Sequence, residues 1–507
     1  MSKDTLLLTI DLGTSFIKTS IYDVDSNALV SANEPVRSDC PVPGTFLQKG
    51  DDIFQSVISC IRNVVSKVEN ARERIEAISF TGQMSGFMGV DKDWNDVTTW
   101  SCSMDTRYMP YANRQLRELG REFLEICGTN APQMAPKFEW FKAEFPEESK
   151  KIAKYVMISG YVIGRMGEVP IEEAAIDRSY TQWTGLADIK NGVWSDTICD
   201  AVKIDRKYLP AIVGANHICG KLAASVAETT GLRSGIPLVS GAGDKVTGCL
   251  GAGIVNPGDA IFEASTYGAI SVCVDEFRVD KVEKRYDIVP SAIDGLYYAL
   301  NFIIGSGMSL DWFIKTSDAE FRDMDARVAA LKPGSDGVMA LGHLGGSAMP
   351  LDGNLKGMWL GFDWSHKQEH FYRALLESYS YDFKLTMDSI ESVYTQYAID
   401  RVSMIGGGAK SAVWAQMNAD VMNKSYQKLG RDDVAMWGAA ILAGNAIGLY
   451  PDIRKTALEK VVVREVYRPD EAMHKLYRPY AALYGGFLKE FSPYFKQLRE
   501  VHTRNAE

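Results

Sequence analysis

Long apolar runs are absent from this sequence. No stretch of about 18 uninterrupted apolar residues occurs, so no membrane span is predicted. The apolar run near the N terminus is short, ends at Asp11 and lacks a small-residue cleavage site, which argues against a signal peptide. Positive charge is not in excess either: 55 Lys and Arg stand against 65 Asp and Glu, for a net charge of −10. A nucleic-acid binder needs a basic face, so nucleic acid is not expected as a partner. Because neither a membrane span nor a signal peptide is predicted, we expect a cytoplasmic protein without a membrane partner.

Cysteine is sparse and its spacing shows no pairing motif. The eight cysteines are scattered and none forms a C-x-x-C pair, so reduced thiols are expected rather than a disulfide framework. A G-x-S-x-G nucleophile elbow is also absent, which leaves a serine hydrolase without support. His366 and His370 have a spacing that suits a metal on one helix face, but no third ligand is near them in sequence. A solvated helix face is the prediction there.

Length and composition instead describe a globular protein of two or three domains. A chain of 507 residues is too long for one hydrophobic core, and 46% hydrophobic with 24% charged residues is ordinary. Residues 6–22 are predicted to form a hairpin, residues 51–68 a helix and residues 77–81 a strand, an order typical of an α/β domain. Residues 260–274 repeat the strand–turn–strand pattern. Two copies of one unit predict two related domains, with a boundary near Pro257.

One acidic residue lies in an unusual setting. Asp244 follows Gly241-Ala-Gly243, after an apolar run of strand type and before a small-residue segment of helical type. A carboxylate at such a glycine-rich junction does not build a core. It lies where a substrate can reach it.

Two turns combine glycine with hydroxyl groups. Asp11-Leu-Gly-Thr-Ser15 places an acid and two hydroxyls between predicted strands, where hydroxyls and backbone N–H groups can face phosphate oxygens. Asp11 could also hold Mg²⁺, which prefers oxygen ligands and keeps its waters. An ordinary hairpin turn with a structural aspartate explains this turn equally well. Ser265-Thr-Tyr-Gly268 supplies the second hydroxyl-bearing turn.

Other polar segments suit a ligand but have simpler explanations. Gly406-Gly-Gly-Ala-Lys-Ser411 follows a predicted strand and precedes a predicted helix, a place that favours anions, yet a tight strand-to-helix connection explains it too. It is neither a P-loop nor a dinucleotide fingerprint. Residues 82–86 offer an amide and a hydroxyl, and Asp105-Thr-Arg107 an acid and a guanidinium. These groups suit a polyhydroxylated ligand, although Asp105 and Arg107 could equally form a surface ion pair.

Taken in order, these motifs resemble the FGGY family of carbohydrate kinases, which share the actin/hexokinase-like ATPase fold. The resemblance covers nearly the whole chain, through a first phosphate motif at residues 8–18, a sugar-contact segment at 81–86 with a D-x-R element at 105–107, a catalytic segment at 241–258, a second phosphate motif at 265–268 and an adenosine motif at 406–421. It implies an α/β protein of two ribonuclease H-like domains with an inter-domain cleft. It also implies phosphorylation of a sugar hydroxyl, with ATP and Mg²⁺.

The resemblance implies a role for each matching residue. Asp244 maps onto the general base, and Asp11 would hold the metal. The sugar would be contacted by Gln83, Met84, Ser85, Asp105, Arg107 and Lys245. The nucleotide would be contacted by Thr14, Ser15, Lys18, Thr266, Gly307, Asp311, Gly407, Gly408 and Ala412. The expected domains are residues 1–256 for the sugar and 257–450 for the nucleotide, with a helical tail at 451–507 packed on them.

The expected acceptor is a ketopentose such as xylulose, because Met84 and Ser85 fall where xylulose kinases carry Met-His against the sugar. Ser85 replaces that histidine, Met104 stands where a tryptophan is common, and Lys245 replaces an amide. These departures lie on the sugar side and therefore bear on the identity of the acceptor. The alternatives are a kinase for ribulose, fuculose, glycerol, erythritol or a signalling dihydroxyketone, or a non-catalytic nucleotide-binding relative. A sugar and ATP are the expected partners, and a homodimer is left open.

Overall fold

The computed structural model of the protein describes residues 4–506 and contains elements in both halves of the chain. The strands of the first half are β1 (Leu6–Leu12), β2 (Phe16–Asp23), β3 (Ala28–Pro35), β4 (Ile75–Gly82), β5 (Gly86–Val90), β6 (Ser101–Cys102), β7 (Lys154–Val156), β8 (Ala175–Asp177), β9 (Ala187–Asp188), β10 (Val193–Trp194), β11 (Ala211–Val213), β12 (Ile218–Lys221) and β13 (Pro237–Val239). Those of the second half are β14 (Ala260–Glu263), β15 (Gly268–Val274), β16 (Asp287–Pro290), β17 (Tyr297–Ile303), β18 (Met339–Leu341), β19 (Ser347–Ala348), β20 (Leu351–Asp352), β21 (Met358–Leu360), β22 (Arg401–Ile405), β23 (Ser425–Leu429) and β24 (Val463–Tyr467).

Helices connect and cover these strands. They are α1 (Gly50–Val65), α2 (Ala71–Arg74), α3 (Met109–Cys127), α4 (Met134–Glu144), α5 (Pro146–Ser149), α6 (Ile158–Gly167), α7 (Asp196–Ala201), α8 (Ala224–Thr230), α9 (Asp244–Gly251), α10 (Ser306–Thr316), α11 (Phe321–Ala329), α12 (Gln368–Val393), α13 (Ala412–Met422), α14 (Val434–Ala446), α15 (Ile453–Glu459) and α16 (Glu471–Ala506). Within the range that the structure describes, none of these helices is long and apolar enough to cross a membrane.

The two large sheets share one strand order. The first runs β3-β2-β1-β4-β13-β12 and the second β17-β15-β14-β22-β23-β24, with β16 added beside β17. In each sheet a hairpin (β1–β2 or β14–β15) is followed by strands parallel to its first strand (β4 and β13, or β22 and β23). This repeat confirms the prediction of two related α/β domains. The predicted domain limits stay predictions.

Helices α9 and α14 pack against each other and against the first sheet. Two glycines permit their close approach, since a Cβ on Gly251 would lie 1.9 Å from the carbonyl oxygen of Val434, and one on Gly438 would lie 2.0 Å from that of Thr247. Although α14 lies in the chain between β23 and β24 of the second sheet, it packs on β1 and β4 of the first, where Trp437 is fully buried. The chain therefore returns to the first domain before α16 packs on α12 and α13 of the second.

The prediction of a solvated helix face at His366 and His370 is wrong. Helix α12 begins at Gln368, so His366 precedes it, and the side chains of both histidines are mostly buried. His366 Nε2 lies 3.2 Å from the backbone oxygen of Asp336, and His370 Nε2 lies 3.3 Å from its carboxylate. The pair therefore anchors the start of α12 to the loop before β18.

Candidate active site

Asp244 is the first residue of α9, directly after the turn that follows β13. Gly241 in this turn has a φ of 69°, and a Cβ there would lie 1.6 Å from the backbone oxygen of Phe80. Only glycine can run this close to β4 in that conformation. The Asp244 side chain is left half-buried, and its Oδ1 accepts a hydrogen bond from the backbone N–H of Lys245 at 2.7 Å.

Charges from both domains act on the Asp244 carboxyl group. Burial raises its pKa to about 7; Lys245 opposes this rise, while the negative charges of Asp11 and Glu263 add to it. Asp11 belongs to the first sheet and Glu263 to the second, so the carboxyl group lies where the two domains converge. A carboxylate with a pKa near neutrality is suited to accept a proton from a hydroxyl group.

The first hydroxyl turn joins β1 to β2. Asp11 pairs with Lys18 in the antiparallel register, and Lys18 Nζ lies 3.3 Å from Asp11 Oδ2. Burial raises the pKa of Asp11, and Lys18 opposes that rise. Thr14 Oγ1 donates to Gln83 Oε1 at 3.2 Å, which brings the predicted sugar-contact segment against this turn, while Ser15 is exposed.

The carboxylates near this turn fit Mg²⁺. Asp11 is close enough to Asp244 to raise its pKa, so two oxygen-donor groups share one region. Among residues 4–506, no group of three or more His, Cys, Asp or Glu side chains could hold a metal by itself. Mg²⁺ is commonly bound through one or two carboxylates and completed by waters and substrate phosphates, so this donor set suits it.

The second hydroxyl turn joins β14 to β15. Ser265 Oγ donates to Glu263 Oε1 at 2.8 Å. Thr266 is exposed, and its backbone oxygen accepts a hydrogen bond from the backbone N–H of Gly307 at 3.2 Å. A Cβ on Gly307 would lie 2.5 Å from the backbone oxygen of Ser265. The start of α10 is therefore packed against the turn, and Asp311 lies exposed on that helix.

The glycine-rich loop after β22 contacts the end of β14, where the second hydroxyl turn begins. Gly406 has a φ of 91°, and the backbone N–H of Gly408 donates to the backbone oxygen of Ala264 at 2.8 Å. Ser411 Oγ caps α13 by accepting from the backbone N–H of Trp414 at 3.2 Å. The loop thus lies next to the second hydroxyl turn. Gly407 and Ala412 are exposed along it.

Asp105 is buried and pairs with Arg107, whose side chain is partly exposed. The Asp105 side chain is 0% exposed and accepts from Arg107 Nε at 2.8 Å, Arg107 Nη2 at 2.7 Å and Ser101 Oγ at 2.9 Å. The Arg107 guanidinium lies over the ring of Trp140, 4.6 Å from its centre. Bidentate geometry and stacking hold both groups in one orientation.

Lys137 is a buried cation beside this pair that sequence reasoning missed. Its Nζ donates to the backbone oxygens of Ser101 and Cys102 at 2.7 Å each, and burial lowers its pKa to about 8. The ammonium therefore supports the loop that carries Asp105. Its only signal in the sequence is a lysine inside the apolar stretch of α4.

Met84 and Ser85 differ in their access to the cleft. Met84 is 5% exposed and packs on Gly243 so closely that a Cβ on Gly243 would lie 2.4 Å from Met84 Cγ. Met84 therefore contacts the turn that carries Asp244, while Ser85 is half-buried.

Lys245 is already paired. Its Nζ lies 2.6 Å from Glu263 Oε2, so the ion pair runs from α9 of the first domain to β14 of the second. Sequence reasoning missed Glu263. The signal was present, because Glu263 precedes Thr266 by three residues as Asp11 precedes Thr14.

Comparison with protein families matches both halves of the chain. Residues 6–251 match the FGGY family of carbohydrate kinases, N-terminal domain, and residues 279–447 match the C-terminal domain of the same family. The xylulose kinase of Staphylococcus epidermidis is 26% identical over 96% of this chain and 97% of its own length. That of Bacillus subtilis is 29% identical over 94% and 95%.

Other relatives carry different names. The gluconokinase of Bacillus subtilis is 26% identical over 93% of each chain, and the autoinducer-2 kinase of Klebsiella pneumoniae is 24% identical over 93% of this chain and 91% of its own. Among solved structures, the ligand-bound xylulose kinase of Lactobacillus acidophilus has a TM-score of 0.91 at 21% identity, and covers 97% of this chain and 100% of that one. This likeness confirms the two-domain kinase fold.

Proposed function

The chain belongs to the FGGY family of carbohydrate kinases, and on that premise we propose that it transfers the γ-phosphoryl group of ATP to a hydroxyl of a ketopentose such as xylulose, with Asp244 as general base. The observation that carries this proposal is the position of Asp244. Its carboxyl group has a pKa of about 7, lies between the acids of both hydroxyl turns, and begins a helix at the domain junction.

The proposed reaction needs one proton acceptor and well-placed donors. Asp244 orients the attacking hydroxyl and takes its proton as the hydroxyl oxygen bonds to the γ-phosphorus, while the bond from that phosphorus to the β–γ bridging oxygen of ATP breaks and ADP leaves. Positioning and charge stabilisation dominate phosphoryl transfer, so covalent help is unnecessary. Bound through Asp11, Mg²⁺ would supply positive charge against the phosphate oxygens.

In this proposal each side of the cleft has a task. The phosphates are faced by Thr14, Ser15 and Lys18 from the first hydroxyl turn and by Thr266 from the second. Gly407 and Gly408 let the nucleotide approach the backbone, with Gly307, Asp311 and Ala412 around it. The sugar is oriented by Gln83, Ser85, Asp105 and Arg107. Met84 supports the turn before Asp244. Closure of the domains excludes water and so limits hydrolysis of ATP.

The charges on the sugar side favour a neutral acceptor. Both Arg107 and Lys245 are held by carboxylates of this chain, Asp105 and Glu263. Neither cation is free to neutralise a carboxylate on the substrate, as gluconate would require. This supports an uncharged sugar, and the xylulose kinase relatives support a ketopentose.

The base is tested by Asp244→Asn, which keeps the shape of the side chain and removes its ability to accept the proton. We expect kcat to fall by about 10²–10⁴-fold, while calorimetry shows ATP binding retained. Asp388→Asn, an exposed acid on α12, is the matched control and should leave kcat unchanged. Near-normal turnover by Asp244→Asn would remove it from this role.

The acceptor is tested by sugar-dependent ADP release. Xylulose, ribulose, fuculose, glycerol, erythritol, gluconate and a dihydroxyketone are compared with a no-sugar control, and xylulose is expected to have the highest kcat/KM. Preference for gluconate would contradict the neutral acceptor. A total lack of sugar-dependent ADP release would contradict the activity itself.

A further inference from the structure

One short segment of the first domain contacts both the turn before the base and the second domain. It consists of Asp177 at the end of β8 and the two 3₁₀ turns Arg178–Tyr180 and Gln182–Thr184, and we call residues 177–184 the bridging segment. It lies outside the phosphate, sugar-contact, catalytic and adenosine motifs.

The near end of the bridging segment holds the turn before the base. Ser179 is 0% exposed, and its Oγ accepts a hydrogen bond from the backbone N–H of Gly243 at 2.9 Å. The same hydroxyl donates to Asp177 Oδ1, which also accepts from the backbone N–H of Ser179 at 2.9 Å. Because a hydroxyl has one proton, donation to Asp177 leaves its lone pairs for Gly243. Gly243 immediately precedes Asp244.

Met84 also packs against Gly243 and leaves no room for a Cβ. The turn therefore contacts both the Ser179 hydroxyl and the Met84 side chain. The backbone N–H at this point has a buried partner, and losing that partner would leave a buried donor unpaired. The position of Asp244 along the cleft therefore depends on Ser179.

The far end of the bridging segment is held by the second domain. Asp287 on β16 is 0% exposed, and its Oδ2 accepts from Gln182 Nε2 at 2.8 Å and from Trp183 Nε1 at 2.9 Å. The same carboxylate accepts from two further groups of the first domain, Thr129 Oγ1 at 2.8 Å and the backbone N–H of Asn130 at 3.0 Å. One buried carboxylate thus gathers donors from across the domain junction.

We propose that the bridging segment positions the general base, with Ser179 and Asp177 as positioning residues, and that Asp287 of the second domain keeps the segment in place. This rests on the proposed function of Asp244. It makes the placement of the base depend on contact between the domains, since separation would take Asp287 away from Gln182 and Trp183. Buried supporting hydrogen bonds of this kind are what hold a reacting group in its productive geometry.

Ser179→Ala tests the near end. We expect kcat to fall by about ten-fold or more, since small displacements of a reacting group are costly. KM for ATP and for the sugar should stay within about two-fold, and the melting temperature should change little. Ser179→Thr keeps the hydroxyl and should restore most of kcat. Hydrogen exchange at the Gly243 amide, measured on the intact protein, should be faster in Ser179→Ala than in the wild type or in Ser179→Thr.

Asp287→Asn tests the far end. It should also lower kcat and speed exchange at the Gly243 amide, and the double variant with Ser179→Ala should lose less than the product of the two single losses, because both act through one segment. Asp388→Asn is again the matched control. It removes an exposed carboxylate on α12 that pairs with Lys384 and contacts neither the bridging segment nor Asp287, so both readouts should stay unchanged.

The outcomes separate this proposal from the proposed function. If Asp244→Asn lowers kcat as expected while Ser179→Ala keeps normal kcat, the positioning role is wrong and the base stands. If the losses in the double variant multiply and Asp287→Asn leaves exchange at Gly243 unchanged, the link to the second domain is wrong. If Asp244→Asn itself keeps turnover, the proposed function fails, and exchange at Gly243 still reports whether Ser179 holds the turn.

Discussion

The two hydroxyl turns occupy equivalent places in the two sheets, yet their acids are held differently. Each turn has an acid three residues before a threonine, Asp11 before Thr14 and Glu263 before Thr266. The lysine partner of Asp11 is Lys18 on the same hairpin, at 3.3 Å, with a side chain that is 57% exposed. The partner of Glu263 comes from the other domain, at 2.6 Å, with a side chain that is only 20% exposed.

This difference teaches that one local pattern can support two tasks. The first turn pairs a mostly buried acid with an exposed lysine at 3.3 Å, which suits an acid that exchanges its partner for a bound cation. The second turn is linked across the domain junction, beside Asp244. Both acids raise the pKa of Asp244, so the proposed base is affected by charges from both domains.

Of these substitutions, Asp11→Asn in the first hydroxyl turn should have the largest effect on activity. If Asp11 holds Mg²⁺ as proposed, loss of the carboxylate should lower kcat/KM for Mg·ATP by about 10²-fold and raise the Mg²⁺ concentration that half-saturates the enzyme. Titration of activity with Mg²⁺ measures both. An unchanged Mg²⁺ requirement would assign Asp11 a structural role.

Lys245→Gln and Glu263→Gln should shift the pH dependence in opposite directions. Lys245 lowers the pKa of Asp244, so its removal raises that pKa and moves the acidic limb of the kcat/KM profile to higher pH. Glu263 raises the same pKa, so its removal moves the limb to lower pH. Profiles of both variants against the wild type measure the shifts, and movement in the same direction would show that the pair does not act on the base by charge.

Lys18→Gln should have the smallest effect and sharpen the contrast between the two pairs. Because the Lys18 side chain is largely exposed, we expect the free energy of unfolding to change by less than about 0.5 kcal/mol. Urea unfolding checks this. A loss well above about 1 kcal/mol would mean that the first pair is as firmly built in as a buried one.

Much of the local structure could be predicted from the residues. The hairpins at residues 6–22 and 260–274 and the helix that starts at Asp244 have periodicity and turn residues that act over short distances. The partners of charged groups could not be predicted. Lys245 and Glu263 are separated by the domain boundary region, and Asp287 bonds to Gln182 and Trp183 about a hundred residues away, so neither contact has a local signal.

The sequence by itself determined where the backbone bends and which side chains stand at the bends. Gly241 and Gly406 adopt positive φ close to neighbouring carbonyls, a constraint that only glycine meets, and the acids and threonines follow at set intervals. Tertiary structure alone decided which charges meet. The pKa of Asp244 depends on burial and on Asp11, Lys245 and Glu263, which come from both sheets and from α9 and meet only in the folded chain. Electrostatic interactions act through space, whereas the signals in a sequence act along the chain.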